Sequence, residues 1–295
     1  MAVQYGVAFS SSVKGVGVVA GGPYNCANAQ LGVIAGCITG QPDGVRAWSD
    51  ARSLAAFAQI DPTDGIDHQR VYLFSGRNDT IVDRRVVDAT RDFYRAAGVT
   101  GNALVYETRV AAGHALVAPT FGKACGTNAD PYVEHCIVAG KAYDQPKELL
   151  RHIYGPLHPA ATALSKTVRP FDQREFASAA TSLDATGFVY VPAACAADGD
   201  RCAVHVVFHG CLQGASRVGS DVYSKVGFNR WADTNRIIVL YPQVIPSRGV
   251  PFNPNGCWDW WGQLGLLAYT GPTFMTRSGV QLSAIKAMVD RLTGR

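Results

Sequence analysis

Six strand-sized apolar runs, spaced by stretches of helical periodicity, leave this chain few folds to choose from. They fall at residues 13–20 (VKGVGVVA), 70–74 (RVYLF), 103–110 (ALVYETRV), 187–192 (GFVYVP), 203–208 (AVHVVF) and 236–241 (RIIVLY). The runs are nearly continuous rather than alternating, the pattern of strands covered on both faces. Residues 1–10, 45–59, 82–97, 146–154, 221–235 and 282–292 read as helices. In the third of these, Val86, Val87, Phe93 and Tyr94 share one apolar face. Buried strands alternating with helices predict an α/β fold, a mostly parallel central sheet flanked by helices. Residues 156–186 are polar and irregular and read as a connector between two halves. With no internal repeat, residues 1–295 are expected to form a single α/β domain.

Composition narrows the function. The net charge is only +4, and the densest basic group is Arg84 with Arg85. Nucleic-acid binders gather their Lys and Arg on one face or in runs, so no nucleic-acid partner is expected. No apolar stretch approaches the ~20 residues needed to span a bilayer. The first residues show neither the basic region nor the cleavage site of a secretory leader.

Eight cysteines, at 26, 37, 125, 136, 195, 202, 211 and 257, form an even set, and six lie in close sequential pairs. No C-x2-C pair suggests a zinc site. The set fits a disulfide-bonded protein of an oxidising compartment, against the alternative of free buried thiols. The pairing expected is Cys26–Cys37, Cys125–Cys136, Cys195–Cys202 and Cys211–Cys257, one of the many that eight cysteines allow.

Chemistry in open α/β sheets collects beyond the carboxyl ends of strands. Asp79 follows the second run in SGRNDTIV, and His114 follows the third in AAGHALV. An acid and then a base after successive strands is the order of a hydrolase triad, in which the carboxylate holds the imidazole in one tautomer. Taken alone, Asp79 reads as a helix N-cap and His114 as a solvated loop histidine; the pair at successive strand ends favours the triad reading. The run at 203–208 ends in His209-Gly210-Cys211, a turn that can present a backbone N–H to an oxyanion. Trp258, Trp260 and Trp261 crowd beside Cys257 after a Pro/Gly/Asn-rich loop. They suit either a core cluster or an apolar substrate wall.

Together these segments resemble the extracellular poly(3-hydroxybutyrate) depolymerase family, a branch of the α/β-hydrolases. MAVQYGVAFS, AGGPYNCA, the Asp79 turn, GHALV, IYGPLHP, YVPAAC, VVFHGC, LYPQ and CWDWW follow the family's order over nearly the whole chain. Asp79 and His114 precede the His-Gly strand, the reverse of the usual hydrolase order. The chain is in this respect similar to the circularly permuted, fungal-like members. The resemblance implies Asp79 as triad acid, His114 as base, Cys211 as the oxyanion amide, and Trp258, Trp260 and Trp261 as polymer contacts. It also implies a nucleophilic serine on a strand ahead of MAVQYGVAFS. No G-x-S-x-G exists in the sequence, so that strand and its elbow are expected to lie before Met1.

The function these readings support is a secreted serine ester hydrolase acting on 3-hydroxyalkanoate polyesters or oligomers. It would work as a monomer, with no metal or organic cofactor. Two rivals are a feruloyl- or acetyl-type esterase and a catalytically inactive polyester- or carbohydrate-binding homologue. The cysteine reading has its own check: thiol titration of denatured, unreduced protein should find no free thiol, and several free thiols would refute the disulfide framework.

Overall fold

Arg70–Phe74 is the strand on which the first half of the sheet is built. This β2 lies between β1 (Gly15–Val19) and β3 (Leu104–Glu107), parallel to both. Val19 is in register with Phe74, and Phe74 with Glu107, so the three strands end together. The second half holds β4 (Arg169–Asp172), β5 (Thr186–Tyr190), β6 (Ala203–Val206) and β7 (Ile237–Tyr241). Its order is β6-β7-β5-β4, with β6 parallel to β7 and the other two pairings, β7–β5 and β5–β4, antiparallel. The coordinates, a computed structural model, describe residues 1–29, 34–178, 181–196, 202–249, 251–262 and 273–294.

The strands' side chains sort into two layers. Val16, Val18, Val71, Leu73, Ile238 and Leu240 face a layer that includes α1 (Ala2–Ala8), α3 (Arg84–Ala96) and α6 (Val280–Thr293). Tyr72, Phe74, Val239 and Tyr241 face the other, with α4 (Gln145–Tyr154) and α5 (Phe228–Thr234). Each layer draws on both half-sheets, so one pair of cores covers the whole sheet. The close seat of α4 needs glycine: a Cβ on Gly17 would lie 2.4 Å from Leu149 Cδ1. Helix α2 (Gly44–Ala56) packs on α3.

Between the half-sheets runs a channel of about 1040 Å³, lined on one side by β1 and on the other by β6. Among the described residues neither strand has a partner on its channel side. Both are therefore only partly covered, whereas β7 is buried throughout. The sequence reading of residues 13–20 as a strand covered on both faces holds for Val16 and Val18 and not for their neighbours.

Three other readings need correction. The connector contains β4, whose Pro170 lacks a donor and so sits on the sheet's outer edge, where none is needed. The helix expected at 221–235 is broken. A five-residue π turn at Asp221–Lys225 precedes α5, and Gly227, at φ +115°, makes the break. Strand β3 stops at Glu107 because the Glu107 carboxylate accepts the Arg109 N–H at 2.7 Å and turns the chain.

Open edges predict a pattern of amide exchange. Amides on the channel side of β1 and β6 should exchange with solvent faster than those of β2 and β7, which are paired on both sides. Equal protection in all four strands would mean that the channel is closed in solution.

Candidate active site

Two turns leave the carboxyl ends of β2 and β3 and meet. Ser75 N–H donates to Glu107 O at 3.1 Å, Arg77 N–H to Val110 O at 2.8 Å, and Asn78 N–H to Ala112 O at 2.9 Å. The approach is possible because residue 76 is glycine; a Cβ there would lie 2.3 Å from Ala112 O. Asp79 follows with its side chain only 1% exposed. Its Oδ1 accepts the N–H groups of Ile81 and Val82, each at 2.9 Å. Its Oδ2 lies 2.9 Å from His114 Nδ1. The capping role considered for Asp79 belongs to Asp83, whose side chain accepts the Arg85 N–H at the start of α3.

His114 is 30% exposed and lines the channel. With Nδ1 held by a carboxylate, Nε2 is the nitrogen left for proton transfer. Tyr132 stands edge-on to the imidazole, ring centres 6.0 Å apart.

The His209-Gly210-Cys211 turn lines the same channel. Its flanking amides are occupied: Gly210 N–H donates to Gln213 Oε1 and Leu212 N–H to Asn255 O, both at 2.7 Å. No hydrogen bond engages the Cys211 N–H among the described residues, so it is the donor the turn has to offer. His209 is a structural residue. It is 3% exposed, its Nε2 accepts the Val244 N–H at 3.0 Å, and its Nδ1 therefore donates to Gly210 O at 2.7 Å. Burial pushes its pKa down to about 4.

The tryptophan segment divides. Trp258 is 3% exposed, donates Nε1–H to His209 O at 2.9 Å and packs edge-on against Phe208. It braces the His209-Gly210-Cys211 turn from within, and its burial leaves it no face for the expected polymer contact. Trp260 and Trp261 are half-buried, edge-to-face at 4.7 Å, and pack beside Cys26–Cys37 at the channel. The disulfides join Cys26 to Cys37, Cys125 to Cys136, Cys195 to Cys202 and Cys211 to Cys257.

A nucleophile is not found beside His114 among the described residues. Ser12, the one serine lining the channel, precedes β1 and so lies at the end of the strands away from His114. All eight cysteines are disulfide-bonded. The one metal-like cluster among the described residues, Cys125, Glu134 and Cys136, has both sulfurs in a disulfide and cannot ligate as thiolate. Sequence reasoning missed Asn128, Glu134 and Gln213, which hold the turns; polar loop residues carry no periodic signal.

No family model matches the chain. A polyhydroxybutyrate depolymerase of Talaromyces funiculosus is 34% identical over 310 residues, which cover 99% of this chain and 86% of the relative. The chain belongs to the polyhydroxybutyrate depolymerase family. A poly(3-hydroxybutyrate) depolymerase of Delftia acidovorans is 39% identical over 300 residues; the match takes in 99% of this chain and spans 57% of that relative's length. The crystal structure of the PHB depolymerase from Penicillium funiculosum superposes with a TM-score of 0.85 at 32% identity, covering 99% of this chain and 91% of that one. A serine-to-alanine PHB depolymerase variant complexed with an R3HB trimer gives 0.84, with the same identity and coverage. The fold is accordingly that of an α/β-hydrolase domain.

His209 makes stability depend on pH in a defined window. Unfolded, it takes a proton near 6.5; folded, only near 4. Between those values the unfolded chain binds more protons, so stability falls as pH drops from 6.5 to 4 and this contribution then levels off. The loss should be about 3 kcal/mol. Urea unfolding at pH 7 and pH 4 should show it, and His209→Gln should remove this part of the slope. An unchanged slope in the variant would contradict the assignment.

Proposed function

We propose that this chain is a polyester hydrolase of the serine type, acting on 3-hydroxyalkanoate esters, with its nucleophile delivered by a strand seated between β1 and β6. The observation that carries the reading is the Asp79–His114 pair, 2.9 Å apart, on the wall of a channel flanked by two open sheet edges. Such edges suit an added parallel strand, and α1, whose first residues line the same channel, suits the helix after a nucleophile elbow. The relatives' names supply the substrate class. A relative complexed with an R3HB trimer supports oligomers as well as polymer.

In this mechanism the serine Oγ attacks the ester carbonyl while His114 Nε2 takes its proton. Asp79 keeps the imidazole in the productive tautomer and stabilises its charge. The Cys211 N–H donates to the oxygen on which negative charge develops. Collapse expels the alcohol end of the polymer, which receives the proton from His114. Water, deprotonated by His114, then hydrolyses the acyl-enzyme and restores the serine. Trp260 and Trp261 are placed to receive the apolar backbone of the substrate. Secretion is part of the proposal, supported by four disulfides. Among the described residues no helix is long and apolar enough to cross a membrane.

A second reading, a polyester-binding homologue without hydrolysis, draws on the lack of a serine or thiol beside His114 among the described residues. One experiment separates the two. An apolar strand of about five residues ending in Gly-x-Ser-x-Gly is fused ahead of Met1. The fused protein should protect the β1 and β6 amides and hydrolyse 3-hydroxybutyrate oligomers. His114→Gln should then lower kcat at least about 10⁴-fold. Protected edges without hydrolysis would favour the binding protein.

A further inference from the structure

The Asp79 and His114 turns are joined by more than their own contact. A third segment, residues 125–136, closed by the Cys125–Cys136 disulfide, touches both. Asn128 is its central residue and uses its full hydrogen-bonding capacity. Oδ1 accepts the backbone N–H of His114 at 2.8 Å and of Thr80 at 3.1 Å. Nδ2 donates to Asn78 O at 3.0 Å and Gly126 O at 3.3 Å. The side chain thus grips the residues on both sides of Asp79 and the backbone of His114 itself. An amide is the one side chain with two acceptor and two donor positions for this.

Two more residues extend the grip. Glu134, fully buried, accepts Gly113 N–H at 3.0 Å and Gly126 N–H at 2.8 Å, tying the residue before His114 to the base of the loop. Gln213 reaches in from the oxyanion turn. Its Nε2 donates to Tyr132 O at 2.7 Å and Pro131 O at 3.1 Å while its Oε1 holds Gly210 N–H. Tyr132 O also accepts Leu116 N–H at 2.9 Å, two residues past the base. The segment is therefore bonded to the acid turn, the base turn and the oxyanion turn.

We propose that the disulfide-closed loop 125–136 is the element that holds these three turns in register, with Asn128 as the positioning residue for the Asp79–His114 pair. The proposal rests on the hydrolase reading for the roles of the two residues, but its test needs no hydrolysis. A loop of this kind is required because both residues lie beyond the strand ends. There the sheet ladder no longer fixes their separation, and a small displacement of a catalytic group costs much of its effect.

The test follows the His114 Nδ1 proton by NMR of the 15N-labelled 295-residue protein. Exchange of that proton with solvent is measured in the parent, in Asn128→Ala and in Asn128→Asp. The Asp variant retains the two acceptor contacts and loses the two donors. Exchange should be slowest in the parent, intermediate in Asn128→Asp and fastest in Asn128→Ala. The last should exceed the parent about tenfold, as expected on losing one net hydrogen bond. Replacing Cys125 and Cys136 together by Ser should speed the exchange as well. Replacing Cys195 and Cys202, a disulfide of similar loop size on another part of the chain, should leave it unchanged. Equal exchange in the parent and Asn128→Asp overturns the proposal, even if the Ala variant does not fold. So does equal response to the two disulfide removals, which would indicate general stability alone. Asp79→Asn separates the underlying reading: if it leaves the parent's signal unaltered, the Asp79–His114 pair itself is absent in solution.

Discussion

Apolar packing across the channel holds this molecule together. No backbone ladder joins β1 to β6 among the described residues, so the half-sheets are joined chiefly through the layers above and below them. On one face Val71 and Leu73 of β2 and Ile238 and Leu240 of β7 belong to a single core with α1, α3 and α6. On the other, Phe74 and Tyr241 meet α4 and α5. Burial of this kind has no direction of its own. The alignment of the two halves depends on the side chains that cross between them, and so does every distance measured from one half of the site to the other.

The site divides along the same line. Asp79 and His114 extend from the first half-sheet, and the Cys211 turn from the second. What fixes one half against the other at the site is polar and local: the Gln213 amide donates to the Tyr132 carbonyl, while within the second half Gln213 and the Trp258 indole hold the His209-Gly210 turn. These bonds are buried or partly buried, where a lost partner costs more than at the surface. The arrangement gives precision to turns that the sheet alone cannot position.

Much of this was readable in the chain. The continuous apolar run RVYLF marks β2 to the residue, because a strand covered on both faces has no reason to alternate. Asp79 and His114 stood out through their order after successive strands, and the structure has them hydrogen-bonded. The rest depended on tertiary context. Pro170 concealed an edge strand, Gly227 broke a helix that apolar periodicity carried through, and Trp258 went inward because its N–H found a carbonyl there. Asn128 was illegible for a simpler reason. Four hydrogen bonds to backbone at three places leave no trace in the pattern of apolar residues.

The disulfide between Cys211 and Cys257 joins residues 46 apart in sequence, far more than the separations of 7 to 11 bridged by the other three. Within it lies the loop around the Ser247–Asn253 bridge, where Phe252 is 62% exposed. Exposed loop tips are where proteases cut. A single cut there would open the peptide chain yet release nothing, since the cystine still links the two pieces on either side of the nick. The His209-Gly210-Cys211 turn and the Trp258–Trp261 segment would stay tethered to each other. That covalent ring makes an exposed loop tip a place where the chain can be cut without coming apart.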